Sequence, residues 1–146
     1  SLNIRVIIGP SFSPALINCI KKTAFGSVID LVVSPKNLLE HYQWADLGIC
    51  GSGTTRYEAA AIGLPVIFTS IYPEHNQLSN DYASFGTSEY LGPDVSLAPT
   101  DWRAAILKMQ VSPTSYENMV TAIETMRQVN FGGRNLATQL KEVFKI

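Results

Sequence analysis

The sequence predicts an α/β fold, a doubly wound parallel sheet of about five strands with extra helices at the C-terminal end. Short β-branched runs alternate with helical apolar spacing, which is typical of parallel α/β structure. The strand candidates are continuously apolar, as expected where both faces of a sheet are covered. The 146 residues are 46% hydrophobic, which fits one domain with a buried core.

The first third of the chain predicts two strand–helix units. Ile4–Ile8 is the first strand, and Pro14 suits the first turn of a helix that runs to about Thr23. Ile29–Val33 is the second strand, and the helical spacing that follows it extends to about Trp44.

The middle of the chain continues the alternation. Leu47–Cys50 is the third strand, and it leads directly into a Gly-Ser-Gly-Thr-Thr loop. The next helix runs to about Ile62 and ends at Gly63, because glycine is favoured just past a helix C-terminus. The remaining elements are a strand at Val66–Thr69, a helix from Asn76 to Phe85 and a short fifth strand at Glu89–Leu91.

After the fifth strand the sequence predicts only helices, whose apolar stripes indicate core packing. The stripes are Trp102, Ala105, Ile106 and Met109, then Tyr116, Met119, Val120 and Ile123, then Leu136, Leu140, Val143 and Phe144, with Asn135 as N-cap of the last helix. No linker or repeat interrupts the chain, so residues 1–146 are predicted to form a single domain.

Composition excludes several classes of protein. The formal charge of −1 argues against nucleic-acid binding, which needs a basic surface. No apolar run reaches the ~20 residues of a membrane span, and no secretion signal is visible. Cys19 and Cys50 are interpreted as small buried hydrophobes in a reducing cytoplasm. No Cys or His spacing resembles a metal site, so neither a metal nor a cofactor is predicted.

Because both faces of the sheet are expected to be covered, six strand residues are predicted to be almost inaccessible to solvent. They are Ile7, Val32, Ile49, Cys50, Val66 and Ile67.

Ligands of such sheets bind outside the carboxyl ends of the strands, which singles out Gly9–Phe12 and Gly51–Thr55. Glycines let backbone N–H groups approach an anion, and the following helix N-terminus adds about half a positive charge. Ser52, Thr54 and Thr55 add hydroxyl donors. The second loop therefore predicts a phosphate or diphosphate site, with an ordinary tight turn as the alternative.

The loop matches no standard fingerprint. Arg56 stands where G-x-G-x-x-G has its third glycine, and the loop follows the third strand instead of the first. A P-loop sequence is absent, and Cys50 replaces the first glycine of a nucleophile elbow.

Polar residues near the loop have two interpretations each. Glu58 completes a capping box with Thr55, or its carboxylate accepts hydrogen bonds from two ribose hydroxyls. His75 belongs to a solvated loop, or faces the ligand crevice together with Asn76 and Gln77. The amides of Asn76 and Gln77 pair donors with acceptors, which suits sugar hydroxyls.

Residues 43–65, QWADLGICGSGTTRYEAAAIGLP, resemble the donor-binding half of GT-B nucleotide-sugar enzymes. They are similar to the UDP-sugar hydrolase of pseudaminic acid synthesis and to spore coat polysaccharide biosynthesis proteins. The peptidoglycan N-acetylglucosaminyltransferase is a more distant relative. The resemblance continues at Asn76-Gln77, followed by Asn80, Ala83 and Gly86, and covers about Ile4 to Gly92.

This resemblance implies a Rossmann-like domain and a role for each part of the site. The loop residues Ser52, Gly53 and Thr54 would hold the diphosphate, Glu58 the ribose, and the Asn-Gln pair the sugar or its phosphate. Uracil is expected near Val33–Pro35. The substrate-binding residues are thus Gly51, Ser52, Gly53, Thr54, Thr55, Glu58, Asn76 and Gln77, with no catalytic residue among them.

Two parts of the family pattern have no counterpart in this sequence. They are the amino-terminal domain, which carries the acceptor site and the hydrolases' catalytic histidine, and the first strand–helix unit of the donor-binding domain. Without that strand the order 3-2-1-4-5-6 becomes 2-1-3-4-5, a flavodoxin-like order. We therefore expect the first and third strands to pair directly, or a second copy of the chain to fill the space.

The function predicted from the resemblance is UDP-sugar binding, as the cytoplasmic domain of a glycosyltransferase or UDP-sugar hydrolase of surface polysaccharide biosynthesis. The missing amino-terminal domain of the same protein is its expected partner, and the isolated domain is expected to be inactive. The alternatives are a flavodoxin-like partner-binding module without catalytic activity and a nicotinamide enzyme.

Overall fold

The computed structural model describes residues 2–24, 26 and 28–129, and its elements follow the predicted order. The strands are β1 (Ile4–Ile8), β2 (Ile29–Val33), β3 (Gly48–Gly51), β4 (Val66–Ser70) and β5 (Ser88–Pro93). The helices are α1 (Pro14–Ala24), α2 (Leu39–Trp44), α3 (Thr55–Ile62), α4 (Asn76–Ala83), α5 (Pro99–Val111) and α6 (Pro113–Val129). The α/β class with parallel strands and C-terminal helices is confirmed. The helix predicted over Leu136–Phe144, with Asn135 as its N-cap, lies outside the described residues.

The chain divides into two compact units, residues 1–40 and 41–146. In the first unit β1 and β2 form a two-stranded parallel sheet, connected by α1. Arg5 lies opposite Asp30 in the register, and its Nε donates to Asp30 Oδ2 at 2.7 Å. Ile8, at the end of β1, is completely buried.

The second unit contains a three-stranded parallel sheet in the order β3-β4-β5. The central strand β4 is buried at every position, because it has a strand on each side and helices over its faces. Ile67 packs against Ala105 and Met109 of α5 and Met119 of α6. Val66 packs against Ala59 of α3. The carboxyl ends of all three strands therefore lie at one edge of a well-packed sheet.

Gly63 ends α3 as predicted. Its φ of 100° lies in the left-handed region, which only glycine adopts without strain. Its N–H donates to the carbonyls of Ala59 and Ala60, so the last turn of α3 is closed and the chain turns directly into β4.

The burial prediction for the six strand residues is correct for only two of them. Val66 and Ile67 are 2% and 0% exposed. Ile49 is 54% exposed. The last three, Ile7, Val32 and Cys50, are only partly buried. The physical reason is that Val66 and Ile67 lie in the central strand, whereas β1, β2 and β3 each have a single strand neighbour in the described residues.

Each compact unit contains its own parallel sheet. In the first unit β1 pairs with β2, and in the second β3 pairs with β4 and β4 with β5. Direct pairing of the first and third strands, or a second copy of the chain that fills the space between them, stays a prediction, as does the single-domain organisation.

Candidate functional site

The candidate site begins where β3 and β4 end side by side. Gly51 lies opposite Thr69 in the register, so the Gly51–Thr55 loop leaves the sheet beside the exit of β4. Thr54 is the N-cap residue of the eight-residue helix α3, and its side chain makes no capping bond. The first N–H groups of a helix have no intrahelical partner. Gly53 is exposed, and a Cβ added to it would meet no atom within 4 Å, so this side of the loop is open.

Ser52 and His75 meet at this edge. The Ser52 Oγ lies 2.9 Å from His75 Nδ1, although the two residues are far apart in the sequence. Ser52 is 6% exposed, and the imidazole is partly buried, with the Tyr72 ring packed edge-on at a centroid distance of 5.4 Å. The interpretation of His75 as a solvated loop residue therefore does not describe its environment.

Glu58 does not cap its helix. Because α3 has Thr54 as its N-cap residue without a side-chain capping bond, the capping box predicted with Thr55 is wrong. Instead, Glu58 Oε2 accepts a hydrogen bond from the Tyr42 hydroxyl at 2.8 Å. Burial, together with the Glu58 carboxylate, raises the pKa of Tyr42, so the phenol stays a donor. The carboxylate is exposed and is held in one orientation beside the loop.

Asn76 lies at the centre of a second polar cluster. Its Oδ1 accepts hydrogen bonds from the Ser70 hydroxyl at the end of β4 and from Tyr90 of β5, the latter at 3.3 Å. The hydroxyls of Ser70 and Tyr90 are themselves 2.6 Å apart. Since both hydroxyls converge on the amide oxygen, the amide nitrogen is directed elsewhere and can donate to a ligand.

The cluster borders an open cavity of about 370 Å³ at the carboxyl end of β5. It is lined by Asn76, Asn80, Tyr90, Leu91, Gly92 and Pro93. Gln77 takes no part in the cluster: it is exposed, and its Nε2 donates to Asp81 Oδ1 at 2.8 Å. Of the predicted Asn-Gln pair, Asn76 alone lines the cavity, and the structure adds Tyr90 to the lining. Ser70 takes part through its hydrogen bonds with Asn76 and Tyr90. The only sequence signal for either residue is a hydroxyl group on a strand, at the end of β4 for Ser70 and within β5 for Tyr90.

Arg56 is a buried cation within the same unit, 1% exposed. Its Cζ lies 4.8 Å, 5.0 Å and 4.9 Å from the ring centroids of Tyr57, Phe68 and Tyr82. Nη1 donates to Ser79 Oγ at 3.2 Å, and Nε is buried without a hydrogen-bond partner. No ion pair joins it to a carboxylate among the described residues. Sequence reasoning noted Arg56 only as a departure from a glycine motif, and it missed this aromatic cage.

The range predicted to lie near uracil, Val33–Pro35, begins at the last residue of β2 in the first unit. Ser34 there has a φ of 49°, in the left-handed region that non-glycine residues rarely adopt. Its N–H donates to the Ile8 carbonyl at 2.7 Å, which holds the turn. The uracil assignment itself stays a prediction. Within the described ranges, no group of His, Cys, Asp and Glu side chains could hold a metal ion.

The two cysteines differ in a way that predicts their reactivity. Cys19 is exposed and not buried as predicted, because it lies on the outer side of α1, whereas Cys50 is partly buried. Burial raises the pKa of Cys50 to about 11. The folded state therefore favours the thiol form of Cys50. As a result, the contribution of Cys50 to the free energy of unfolding is fully present below about pH 9, and it is lost as the pH rises through about 11.

At about pH 8 we expect iodoacetamide to modify Cys19 rapidly and Cys50 only after unfolding, because the thiolate is the nucleophile. Mass spectrometry of peptides from native and urea-treated protein measures this difference. Equal rates for the two residues in the native protein would contradict the assignment.

Comparison with known proteins supports the fold. No family model matches the sequence, and no curated protein matches it. The chain is similar to a solved structure described as a crystal structure of UDP-N-acetylglucosamine 2-epimerase, with a TM-score of 0.59 and 16% sequence identity. The match covers 80% of this chain and 30% of that one. No helix in the described ranges has the length and apolar character to cross a membrane. The chain therefore has a Rossmann-like α/β fold and spans about a third of the length of the structure that it resembles.

Proposed function

We propose that this chain binds a nucleotide-sugar, namely a UDP-sugar, at the carboxyl end of the β3-β4-β5 sheet. One observation carries the proposal: the edge brings together a glycine-rich loop, the Glu58 carboxylate and the Asn76 amide. Ser52 of the loop touches His75, which directly precedes Asn76. Each of the three groups suits one part of a nucleotide-sugar. The fold shared with an enzyme whose name specifies a UDP-sugar supports the same ligand class.

The diphosphate is assigned to Gly51, Ser52, Gly53, Thr54 and Thr55. The open side of Gly53 lets the ligand approach the backbone, and backbone N–H groups at a helix N-terminus favour anions. The threonine hydroxyls add donors. Basic side chains are not needed for this diphosphate site, since the loop would bind the anion through backbone N–H dipoles and side-chain hydroxyls.

The ribose is assigned to Glu58. The Tyr42 hydroxyl bonds Oε2 and so leaves Oε1 for a ribose hydroxyl. A carboxylate is a strong acceptor for such hydroxyls.

The sugar is assigned to Asn76, with Gln77 as its neighbour. The oriented amide of Asn76 borders the cavity of about 370 Å³ at the carboxyl end of β5. Gln77 would have to give up its hydrogen bond with Asp81 to contact the same ligand.

For the protein to which the chain belongs, we propose a glycosyltransferase or a UDP-sugar hydrolase of surface polysaccharide biosynthesis. Its amino-terminal domain would supply the acceptor site. This assignment follows the resemblance over about Ile4 to Gly92.

A thermal-shift panel of UDP, UDP-N-acetylglucosamine, NAD and FMN tests the proposal on the full chain. At a ligand concentration 100 times Kd, binding adds about 2.7 kcal/mol, which raises the melting temperature of a domain of this size by about 5–10 °C. We expect this shift with UDP and with the UDP-sugar. The proposal would be overturned if only FMN or NAD raised the melting temperature, or if none of the four nucleotides did. An FMN shift would favour the flavodoxin-like alternative.

A further inference from the structure

We propose that His75 is a positioning residue for the diphosphate: it turns the Ser52 hydroxyl so that its proton points to a phosphoryl oxygen. The proposal rests on the proposed function, and it adds a residue that the site prediction did not include. It starts from the 2.9 Å contact between Ser52 Oγ and His75 Nδ1.

The contact has two hydrogen-bonded states, and only one of them suits an anion. When Nδ1 lacks a proton, the single Ser52 hydroxyl proton is donated to the imidazole, and Ser52 turns lone pairs toward the loop. When Nδ1 carries a proton, the imidazole donates to Ser52 Oγ and the hydroxyl proton is free for another acceptor. A phosphoryl oxygen at the loop therefore favours the state with a protonated Nδ1.

The packing around Ser52 and His75 restricts the hydrogen bond between them to these two states. Ser52 is 6% exposed, so bulk water does not readily replace the imidazole as its hydrogen-bond partner. The imidazole is held by the packed Tyr72 ring and by its position in the 3₁₀ turn Pro73–His75, which leads directly into α4. The ring therefore meets Ser52 through one nitrogen, and the hydroxyl has few other orientations.

Nuclear magnetic resonance of the ¹⁵N-labelled full chain reads this state directly, because the protein contains only two histidines, His75 and His41. We expect saturating UDP to move the His75 Nδ1 resonance toward that of a protonated nitrogen. The His41 ring, on α2, serves as the internal reference and should change little. An unchanged His75 Nδ1 in the UDP-bound protein would overturn the inference.

Substitutions supply a second, independent measurement. The amide nitrogen of Asn occupies the position of Nδ1, and that of Gln occupies the position of Nε2. His75→Asn should therefore keep the UDP affinity within about twofold, whereas His75→Gln and His75→Ala should each weaken it about fivefold, the range for one neutral hydrogen bond. Ser52→Ala should lose a similar factor, and the double variant Ser52→Ala/His75→Ala should lose no more than either alone.

The outcomes separate the two proposals. If the unmodified protein binds UDP and His75→Ala binds it equally well, the role of His75 is overturned and the proposed function stands. If His75→Asn loses as much affinity as His75→Ala at an unchanged melting temperature, the donor at the Nδ1 position is not what matters, and the inference is again overturned. If the unmodified protein does not bind UDP, both proposals are overturned.

Discussion

Arg56→Ala is expected to lower the free energy of unfolding by about 3–5 kcal/mol, the range for truncating a large buried side chain. The guanidinium is completely enclosed, with three aromatic rings around it. Desolvated cation–π contacts stabilise by about 2 kcal/mol or more. Truncation also removes the donor to Ser79 Oγ, which is itself buried. Urea denaturation of the full chain measures the change.

Arg56→Met separates the charge from the volume. Methionine fills most of the space and loses the cation–π contacts and hydrogen bonds, so we expect a smaller loss, about 1–2 kcal/mol. Buried charges are often replaced by apolar side chains at no cost. A Met variant as stable as the unmodified protein would therefore mean that the cage stabilises through packing alone. Arg103, exposed on α5, is the matched control, and Arg103→Ala should change stability by less than about 0.5 kcal/mol.

Glu58→Gln is expected to weaken UDP binding about tenfold or more at a nearly unchanged melting temperature. Glutamine keeps the shape and an acceptor, and it removes the charge. A hydrogen bond to a charged group stabilises by about 1.5–3 kcal/mol, and about 1.4 kcal/mol corresponds to a factor of ten in Kd. Titration calorimetry on the full-length protein measures the Kd for UDP, and scanning calorimetry measures the melting temperature.

Two further variants control for this result. Glu117, exposed on α6, offers the same substitution away from the site, and Glu117→Gln should leave UDP binding unchanged. Tyr42→Phe removes the hydroxyl that orients Glu58 and should weaken binding by less than Glu58→Gln does. An unchanged UDP affinity of Glu58→Gln, with a clearly lower melting temperature, would assign Glu58 a purely structural role through Tyr42.

Local chemistry explains which parts of the fold were predictable. The strands are short β-branched runs, and the helices begin and end at residues with strong backbone preferences, as at Pro14 and Gly63. The predicted element bounds consequently agree with the structure within two residues. Burial was predictable only for β4, because a continuous apolar run indicates a covered strand and does not reveal how many neighbours the strand has.

The sequence alone predicts the order of elements, the loop at the end of β3 and the polar residues at the start of α4, since each depends on neighbouring residues. The packing of the folded chain selects which side chains meet. It joined Glu58 to Tyr42 instead of the helix end, Ser52 to His75, and Asn76 to Tyr90, and it enclosed Arg56 between α3, β4 and α4. These contacts link residues 12 to 26 positions apart. Such partners are selected by strand register and helix packing, which the periodicity of a single segment does not encode.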